Sequence, residues 1–179
     1  MRASSDVVGE GLQNEARTNL GFLAKSIDEK AQKDGYNLSL KDGDFVWGSN
    51  AAILQNAVVL LLADHTSPNP SYRQSAMSHL HYILGCNPLS KCYVTGVGNN
   101  PPRHPHHPGS MHIKNQLPVP GLLVGGPNQF LNDSELKRHF NESSPPAITY
   151  KDSRDSYSSN DISISWNAAL AFVIAFLIN

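Results

Sequence analysis

The sequence lacks an apolar segment long enough to cross a membrane. Its longest uninterrupted apolar run, Ala168 to Ile178, has eleven residues, whereas a membrane-spanning helix needs roughly 20. This run is predicted to be a buried core helix, and no membrane partner is expected. The opening residues, MRASSDVVGEGLQNEA, contain no apolar stretch after Arg2, so no secretory signal is predicted in the chain as given.

The sequence also lacks an excess of charge of either sign. Lys and Arg together number 14 and Asp and Glu 15, and no basic block of five or more residues occurs. Because nucleic-acid binding relies on concentrated positive charge, no nucleic-acid partner is predicted. A neutral or small-molecule partner is favoured instead.

Cysteine is scarce, and its count does not define a redox compartment. Cys86 and Cys92 are separated by five residues, a spacing that permits a local disulfide and two free thiols alike. Together with His104, His106 and His107 they are the candidates for a zinc site. The cysteine spacing differs from that of short zinc knuckles, and adjacent histidines rarely share one tetrahedral ion. No metal or cofactor is therefore predicted.

Helical periodicity is present in the first half of the chain. Apolar residues recur every three or four positions from Leu12 to Ala31, which predicts an amphipathic first helix. A second helix, apolar on nearly every face, is expected to begin with Ser49 or Asn50 as its N-cap. The third helix follows from Tyr72 to Leu84, and Gly85 is expected to end it in a left-handed conformation.

A fourth helix is expected at the end of the chain. We predict that it runs from about Asn160 to the C-terminus, with Ser159 or Asn160 as its cap. Asp161 then lies in its first turn, where the helix macrodipole favours a carboxylate for structural reasons alone. The same dipole is expected to lower the pKa of that carboxyl, which opposes a role as a general acid.

The region from Cys86 to Asn160 sustains no helical period and holds ten of the twelve prolines. A region of this length is expected to form an ordered functional surface of loops. Its most unusual stretch is NPPRHPHHPGS, residues 100–110. One interpretation is a solvated, proline-stiffened loop without a role. The other is that the prolines fix the backbone and present His106 or His107 to a cleft.

Acidic residues cluster just after these loops, within YKDSRDSYSSNDISISWNA. The cluster consists of Asp152, Asp155 and Asp161. Two carboxylates on either side of a glycosidic bond are the usual apparatus of sugar hydrolysis. The pattern therefore admits a glycosidase as well as a purely structural role.

Four segments together resemble the glycoside hydrolase family 9 cellulases, over most of the chain. They are FVWGSNAAILQNA (45–57), HYILGCNPLSKCYVTGVGNNPPRHPHH (81–107), PGLLVGGPN (120–128) and YKDSRDSYSSNDISISWNAALAF (150–172). The resemblance implies an all-α fold, part of an (α/α)6 barrel of six helical hairpins, with long loops forming one end of a substrate cleft. Residues 1–179 resemble the C-terminal portion of one such catalytic domain, with about four of its twelve helices and no separate second domain.

The resemblance also assigns the histidine loop. The family's first signature maps onto residues 92–108, and its conserved histidine falls on His106. His106, with His107 beside it, is thereby expected to contact substrate near the cleavage point. The arginine of that signature is replaced by Pro108, and proline offers no hydrogen-bond donor.

The second signature assigns the acidic segment. It aligns aromatic residues with Tyr150 and Tyr157, an aspartate with Asp152, and the general acid with Asp161. The family has Glu at that last position, so the carboxyl of Asp161 is one methylene shorter. Misplacing a catalytic group by about 1 Å can cost on the order of a hundredfold in rate.

The implied reaction is inverting hydrolysis of internal β-1,4-glucosidic bonds in cellulose and related β-glucans. Asp161, Asp152 and His106 are the expected catalytic residues, and His106, His107 and Tyr157 the expected substrate contacts. The family's aspartate base belongs to an upstream Asp-Ala-Gly-Asp motif that is absent, and KDGD (41–44) resembles it only superficially. The chain is thus expected to supply the acid side of an endoglucanase site and to be inactive alone.

Two alternatives remain open. One is a degenerate, non-catalytic relic that binds carbohydrate, which Pro108 and Asp161 favour. The other is an exo-acting family 9 glucosidase or glucosaminidase. The resemblance further implies an extracellular location, a β-1,4-glucan polysaccharide as partner, and a monomer when the protein is full length.

Overall fold

Helices dominate the computed structural model, which describes residues 9–111 and 117–178. The long helices are α1 (Glu10–Ala31), α2 (Ser49–Thr66), α3 (Pro70–Leu84) and α7 (Ile164–Leu177). Short helices in the loops are α4 (Pro108–Met111), α5 (Ser134–His139) and α6 (Tyr157–Asn160), with 3-10 turns at Asp42–Asp44 and Pro146–Ile148. Within the described ranges no strand forms and no helix is long and apolar enough to cross a membrane.

Helix α2 is the centre of the bundle because nearly all of its faces are apolar. It packs against α1, α3 and α7. Its fully buried apolar side chains are Ile53, Leu54, Ala57, Leu60 and Leu61. Fully burying a Leu or Ile side chain stabilises a fold by roughly 1.5–3 kcal/mol. The prediction of a second helix buried on most sides is confirmed.

The N-terminus of α2 differs from the prediction. Its N-cap is Gly48, with φ of 85°, and neither Ser49 nor Asn50 caps the helix. A Cβ at Gly48 would lie 2.9 Å from the Trp166 ring, so both conformation and space require glycine. Ser49 instead donates its hydroxyl to the carbonyl of Pro127 (2.7 Å). The polar side chain therefore ties α2 to a loop rather than capping it.

The other predicted helix ends have mixed outcomes. Helix α3 begins two residues earlier than predicted, at Pro70, where the side chain of Asn69 accepts a hydrogen bond from the Ser71 amide. Gly85 is the C-cap of α3, and its φ of 128° confirms that a positive φ ends this helix.

The start of the last helix was predicted wrongly. Helix α7 begins at Ile164 with Ser163 as its N-cap, after the separate turn α6. Asp161 lies between the two helices in extended backbone (φ −71°, ψ 161°). Pairing with other loops holds this segment extended. The macrodipole argument for Asp161 therefore does not apply.

A buried histidine joins α3 to the loop after α1. The side chain of His79 is fully buried; its Nδ1–H donates to the Ser75 carbonyl (2.7 Å) and its Nε2 lies 2.7 Å from the Ser39 hydroxyl. Burial lowers the pKa of His79 to about 4, although the Ser75 carbonyl and the carboxylates of Asp34 and Asp28 partly oppose it. The neutral ring is therefore the folded form at pH 7.

We expect acid to destabilise the fold through His79. An unfolded histidine titrates near pH 6.5, so between pH 6.5 and about 4 the unfolded chain binds a proton that the folded chain does not. The contribution of neutral His79 to the free energy of unfolding is therefore fully present above pH 6.5. It falls as the pH drops to 4, by about 3 kcal/mol in total.

Urea unfolding at pH 7 and pH 4.5 measures this effect. The His79→Gln variant is expected to lose this part of the pH dependence, whereas His81→Gln, an exposed histidine on the same helix, should retain it. Equal pH dependence in the two variants would contradict the assignment.

Candidate active site

Asp161 lies where three loop segments meet in extended conformation. It forms a parallel bridge with His106, and the His106 amide donates to the Asn160 carbonyl (2.8 Å). On its other side, the Gly125 amide donates to the Asp161 carbonyl (2.9 Å). Residues paired across neighbouring extended segments project from the same face. The two residues that the two signatures single out are thereby brought side by side.

The Asp161 carboxyl is accessible and weakly held. Its Oδ1 accepts a hydrogen bond from the amide of Ile162 (2.8 Å), and the side chain is half-buried. Its second oxygen has no hydrogen-bond partner within residues 9–111 and 117–178. A carboxyl with one unengaged oxygen at the surface can exchange a proton with a bound molecule.

His106 presents a defined ring nitrogen. Its Nδ1 lies 2.7 Å from the Arg154 carbonyl, and because a carbonyl only accepts, Nδ1 carries the proton. The neutral ring therefore has Nε2 as an acceptor. Such an arrangement orients the imidazole and leaves one nitrogen for a hydroxyl group.

Aromatic rings extend the surface beside His106. The Tyr157 ring lies 6.1 Å from His106 and 5.4 Å from Trp47, measured between ring centroids. The Tyr157 hydroxyl donates to the Asn132 carbonyl (3.0 Å), which fixes the ring. Trp47 is 44% exposed, an unusual exposure for so large an apolar side chain. The three rings form a surface on which a flat apolar ligand face can stack.

His107 is turned into its own loop. Its Nδ1 lies 2.9 Å from the Ser110 hydroxyl. The ring also covers Gly109, where a Cβ would come within 2.9 Å of the His107 Cε1. The structure thus engages His107 locally, in contrast to His106. Pro108 is exposed at the start of α4.

Asp152 anchors the histidine loop. Its two oxygens accept from the amides of Arg103 (2.8 Å) and His104 (2.9 Å), and the Lys91 ammonium lies 3.3 Å away. Burial alone raises the pKa of the Asp152 carboxyl, but the two amides and Lys91 outweigh it and hold the pKa below its usual value. Asp152 is therefore an ionised carboxylate whose two oxygens are both engaged by hydrogen bonds within the protein.

Asn160 was missed by the sequence analysis as a site residue. Its side-chain amide donates to the His104 carbonyl (2.6 Å) and lies 3.3 Å from the Asp152 carboxylate, while its oxygen accepts from the Tyr150 hydroxyl. The side chain is fully buried next to Asp161 in the chain. It links the histidine loop to the acidic segment.

Lys91 and Trp47 were also missed. Lys91 is buried although it carries a charge, and its ammonium lies 5.6 Å from the centre of the Tyr150 ring as well as beside Asp152. Nothing in the local sequence marks it. The sequence did contain an indication for Trp47, because a tryptophan directly before a glycine and the start of a helix is well placed at a loop surface.

The zinc candidates are not brought together. Cys86 is exposed and Cys92 is buried, and both are free thiols. Burial raises the pKa of the Cys92 thiol, which disfavours the thiolate that a metal requires. Among the described residues, no three His, Cys, Asp or Glu side chains are grouped to hold a metal.

Comparison with known proteins identifies the family. The profile of glycosyl hydrolase family 9 matches residues 4–174. The chain belongs to this family. It is 40% identical over 164 residues to the xyloglucan-specific endo-β-1,4-glucanase of Bacteroides ovatus, covering 90% of this chain and 27% of the relative. It is 34% identical over 170 residues to a cellulose 1,4-β-cellobiosidase of Acetivibrio thermocellus, covering 90% of this chain and 19% of the relative.

The family 9 fold is confirmed by solved structures. A mutant thermostable endoglucanase from Alicyclobacillus acidocaldarius superposes with a TM-score of 0.92 at 35% identity, over 99% of this chain and 34% of that chain. Family 9 endoglucanases are (α/α)6 barrels, and this chain is part of one. The chain spans 19% and 27% of the length of the two curated relatives described above.

Proposed function

We propose that this chain supplies the acid side of an inverting endo-β-1,4-glucanase site. The observation that carries the proposal is the pairing of Asp161 with His106 beside an exposed aromatic surface. The family 9 relatives named as endoglucanases support β-glucan as the substrate class. A polymeric substrate further favours an extracellular location, and we propose a monomer for the full-length protein.

In this proposal Asp161 is the general acid. Its carboxyl gives a proton to the glycosidic oxygen as the bond to the anomeric carbon breaks. Water attacks that carbon from the opposite face and gives its proton to an aspartate outside these 179 residues. The Nε2 of His106 accepts a hydrogen bond from a sugar hydroxyl, and the ring of Tyr157 packs against the sugar ring. Asp152 acts on the reaction indirectly, by holding the histidine loop in place.

The isolated chain is expected to be inactive. An inverting hydrolase needs two carboxylates with a water between them, and we place one of them outside the chain. Purified chain should release no reducing sugar from carboxymethylcellulose above the background of a heat-treated sample. Robust turnover by the purified chain would refute this expectation.

A second candidate function is binding of saccharide without catalysis. Pro108 favours it, because the exposed proline offers no donor where the family has arginine. The test uses a chimera in which this chain replaces the region that it matches in the Bacteroides ovatus endoglucanase. Combining Asp161→Glu with Pro108→Arg should raise hydrolysis if the site is catalytic. No gain, with saccharide binding retained, favours the binding relic.

A further inference from the structure

Asp133 is a buried carboxylate with two separate sets of partners. Its side chain is only 2% exposed and forms the N-cap of α5. One oxygen, Oδ1, accepts a hydrogen bond from the Leu136 amide (2.7 Å). Serine or asparagine would serve that purpose equally well, because capping needs a single acceptor. The cap therefore accounts for one of the two carboxylate oxygens and leaves the other for a different role.

The second oxygen of Asp133 holds the residues on either side of Tyr157. It accepts from the Ser158 amide (3.0 Å) and from the Ser158 hydroxyl. It also accepts from the Ser156 hydroxyl (3.3 Å). Ser156 and Ser158 are fully buried, whereas Tyr157 between them is 39% exposed. The two serines thus fix the backbone that carries the exposed ring.

Tyr157 is also held at its hydroxyl, by the residue directly before Asp133. The hydroxyl donates to the Asn132 carbonyl (3.0 Å). The side-chain amide of Asn128 donates to the Asn132 side-chain oxygen (2.9 Å) and to the Ser158 carbonyl (3.3 Å). The backbone of Tyr157 is therefore tied to Asp133, and the far end of its ring is tied to Asn132.

The ring that these contacts hold belongs to the proposed sugar site. It lies 6.1 Å from the His106 ring, and the turn α6 that carries it ends directly before Asp161. We propose that Asp133 is a positioning residue of this site, which fixes the Tyr157 ring for stacking on a glucose unit and does not itself touch the substrate. This role rests on the proposed β-glucan site. A side chain that is ordered before the ligand arrives strengthens binding by roughly two- to tenfold.

Asp133→Asn separates the two oxygens. Asparagine keeps an oxygen for the Leu136 amide, but its amide nitrogen cannot accept from the amide or hydroxyl of Ser158. The test uses the Bacteroides ovatus chimera carrying Asp161→Asn, so that cellotetraose is bound without being hydrolysed. We expect calorimetry to give a Kd for cellotetraose roughly two- to tenfold weaker when Asp133→Asn is added.

A double-variant cycle separates positioning from a general loosening of the fold. In a Tyr157→Ala background no ring remains to be positioned, so Asp133→Asn should weaken the Kd no further. Asn69→Ala is the control for lowered stability alone. It removes the side chain that caps α3, and no described contact joins Asn69 to Tyr157. This variant should unfold at lower urea concentration and bind cellotetraose normally.

Ser158→Ala provides a milder perturbation for the case that Asp133→Asn does not fold. It removes the hydroxyl donor and leaves the Ser158 amide bonded to Asp133, so it should weaken binding by a smaller factor. An unchanged Kd in both variants overturns the proposal, as does equal weakening by Asp133→Asn with and without the Tyr157 ring. A chimera that binds no cellotetraose overturns it too. A chimera without Asp161→Asn that binds cellotetraose but does not hydrolyse it contradicts the catalytic proposal alone.

Discussion

Replacing Asp161 with Asn should lower kcat of the Bacteroides chimera by roughly 10²- to 10⁴-fold, the usual contribution of a general acid. Asparagine fits the same extended backbone and keeps an oxygen that can accept from the Ile162 amide (2.8 Å to Asp161 Oδ1). It has no proton to give to a leaving oxygen. We therefore expect KM to change little and kcat to fall.

The control for this substitution is Asp155→Asn. Asp155 belongs to the same acidic segment and is exposed, but no described contact joins it to His106 or Asp161. It should retain the activity of the parent chimera, measured as reducing sugar released from carboxymethylcellulose. A substrate with a good leaving group sharpens the test, because it needs less acid assistance. Equal losses on both substrates would argue against Asp161 as the acid.

Helix positions were predictable where the apolar pattern is local. The steps from Leu12 to Ala31 and the apolar run in α2 specify helices by themselves. The α2 cap was not predictable from capping preferences, because Ser49 is used to bind the Pro127 carbonyl 78 residues later. The need for Gly48 arises from Trp166, which lies 118 residues later in the chain.

The conformation of Asp161 could not be derived from its neighbours in sequence. Local preference places an acidic residue in the first turn of a helix. The bridge to His106 and the Gly125 amide instead hold it in an extended segment between α6 and α7. Both partners lie far away in the chain, so only the resemblance to the family singled out this position. Non-local pairing outweighed local propensity.

The roles inside the acidic segment separate only when contacts are known. Asp152 and Asp161 are both carboxylates in one signature, and the sequence suggests that both take part in chemistry. In the structure Asp152 accepts from two backbone amides and faces Lys91, whereas Asp161 accepts from the Ile162 amide through one oxygen. An ionised, saturated carboxylate suits positioning, and an accessible one suits proton transfer.

Asp152→Ala should destabilise the fold by about 3 kcal/mol, because it leaves the buried ammonium of Lys91 without its carboxylate. The carbonyls of Asn100 (3.2 Å) and Pro101 (3.4 Å) still accept from the ammonium but do not neutralise its charge. The side chain of Lys91 is only 8% exposed and that of Asp152 21% exposed. The substitution also strips the amides of Arg103 and His104 of their acceptor, so amide hydrogen exchange at these two residues should speed up. Asp155→Ala, an exposed carboxylate in the same segment, is the matched control and should unfold in urea as the unsubstituted chain does.

A substitution of Lys91, the ion-pair partner of Asp152, separates the cost of the unpaired buried charge from the cost of the lost hydrogen-bond acceptor. Lys91→Met keeps an apolar stem of similar length and removes the ammonium. If the unpaired charge is the main cost, the double variant Asp152→Ala with Lys91→Met will be more stable than Asp152→Ala alone. Exchange at Arg103 and His104 should nevertheless stay fast in the double variant, because its cause is the missing carboxylate. Slow exchange at both amides in Asp152→Ala would show that the histidine loop is held by Asn160 and not by Asp152.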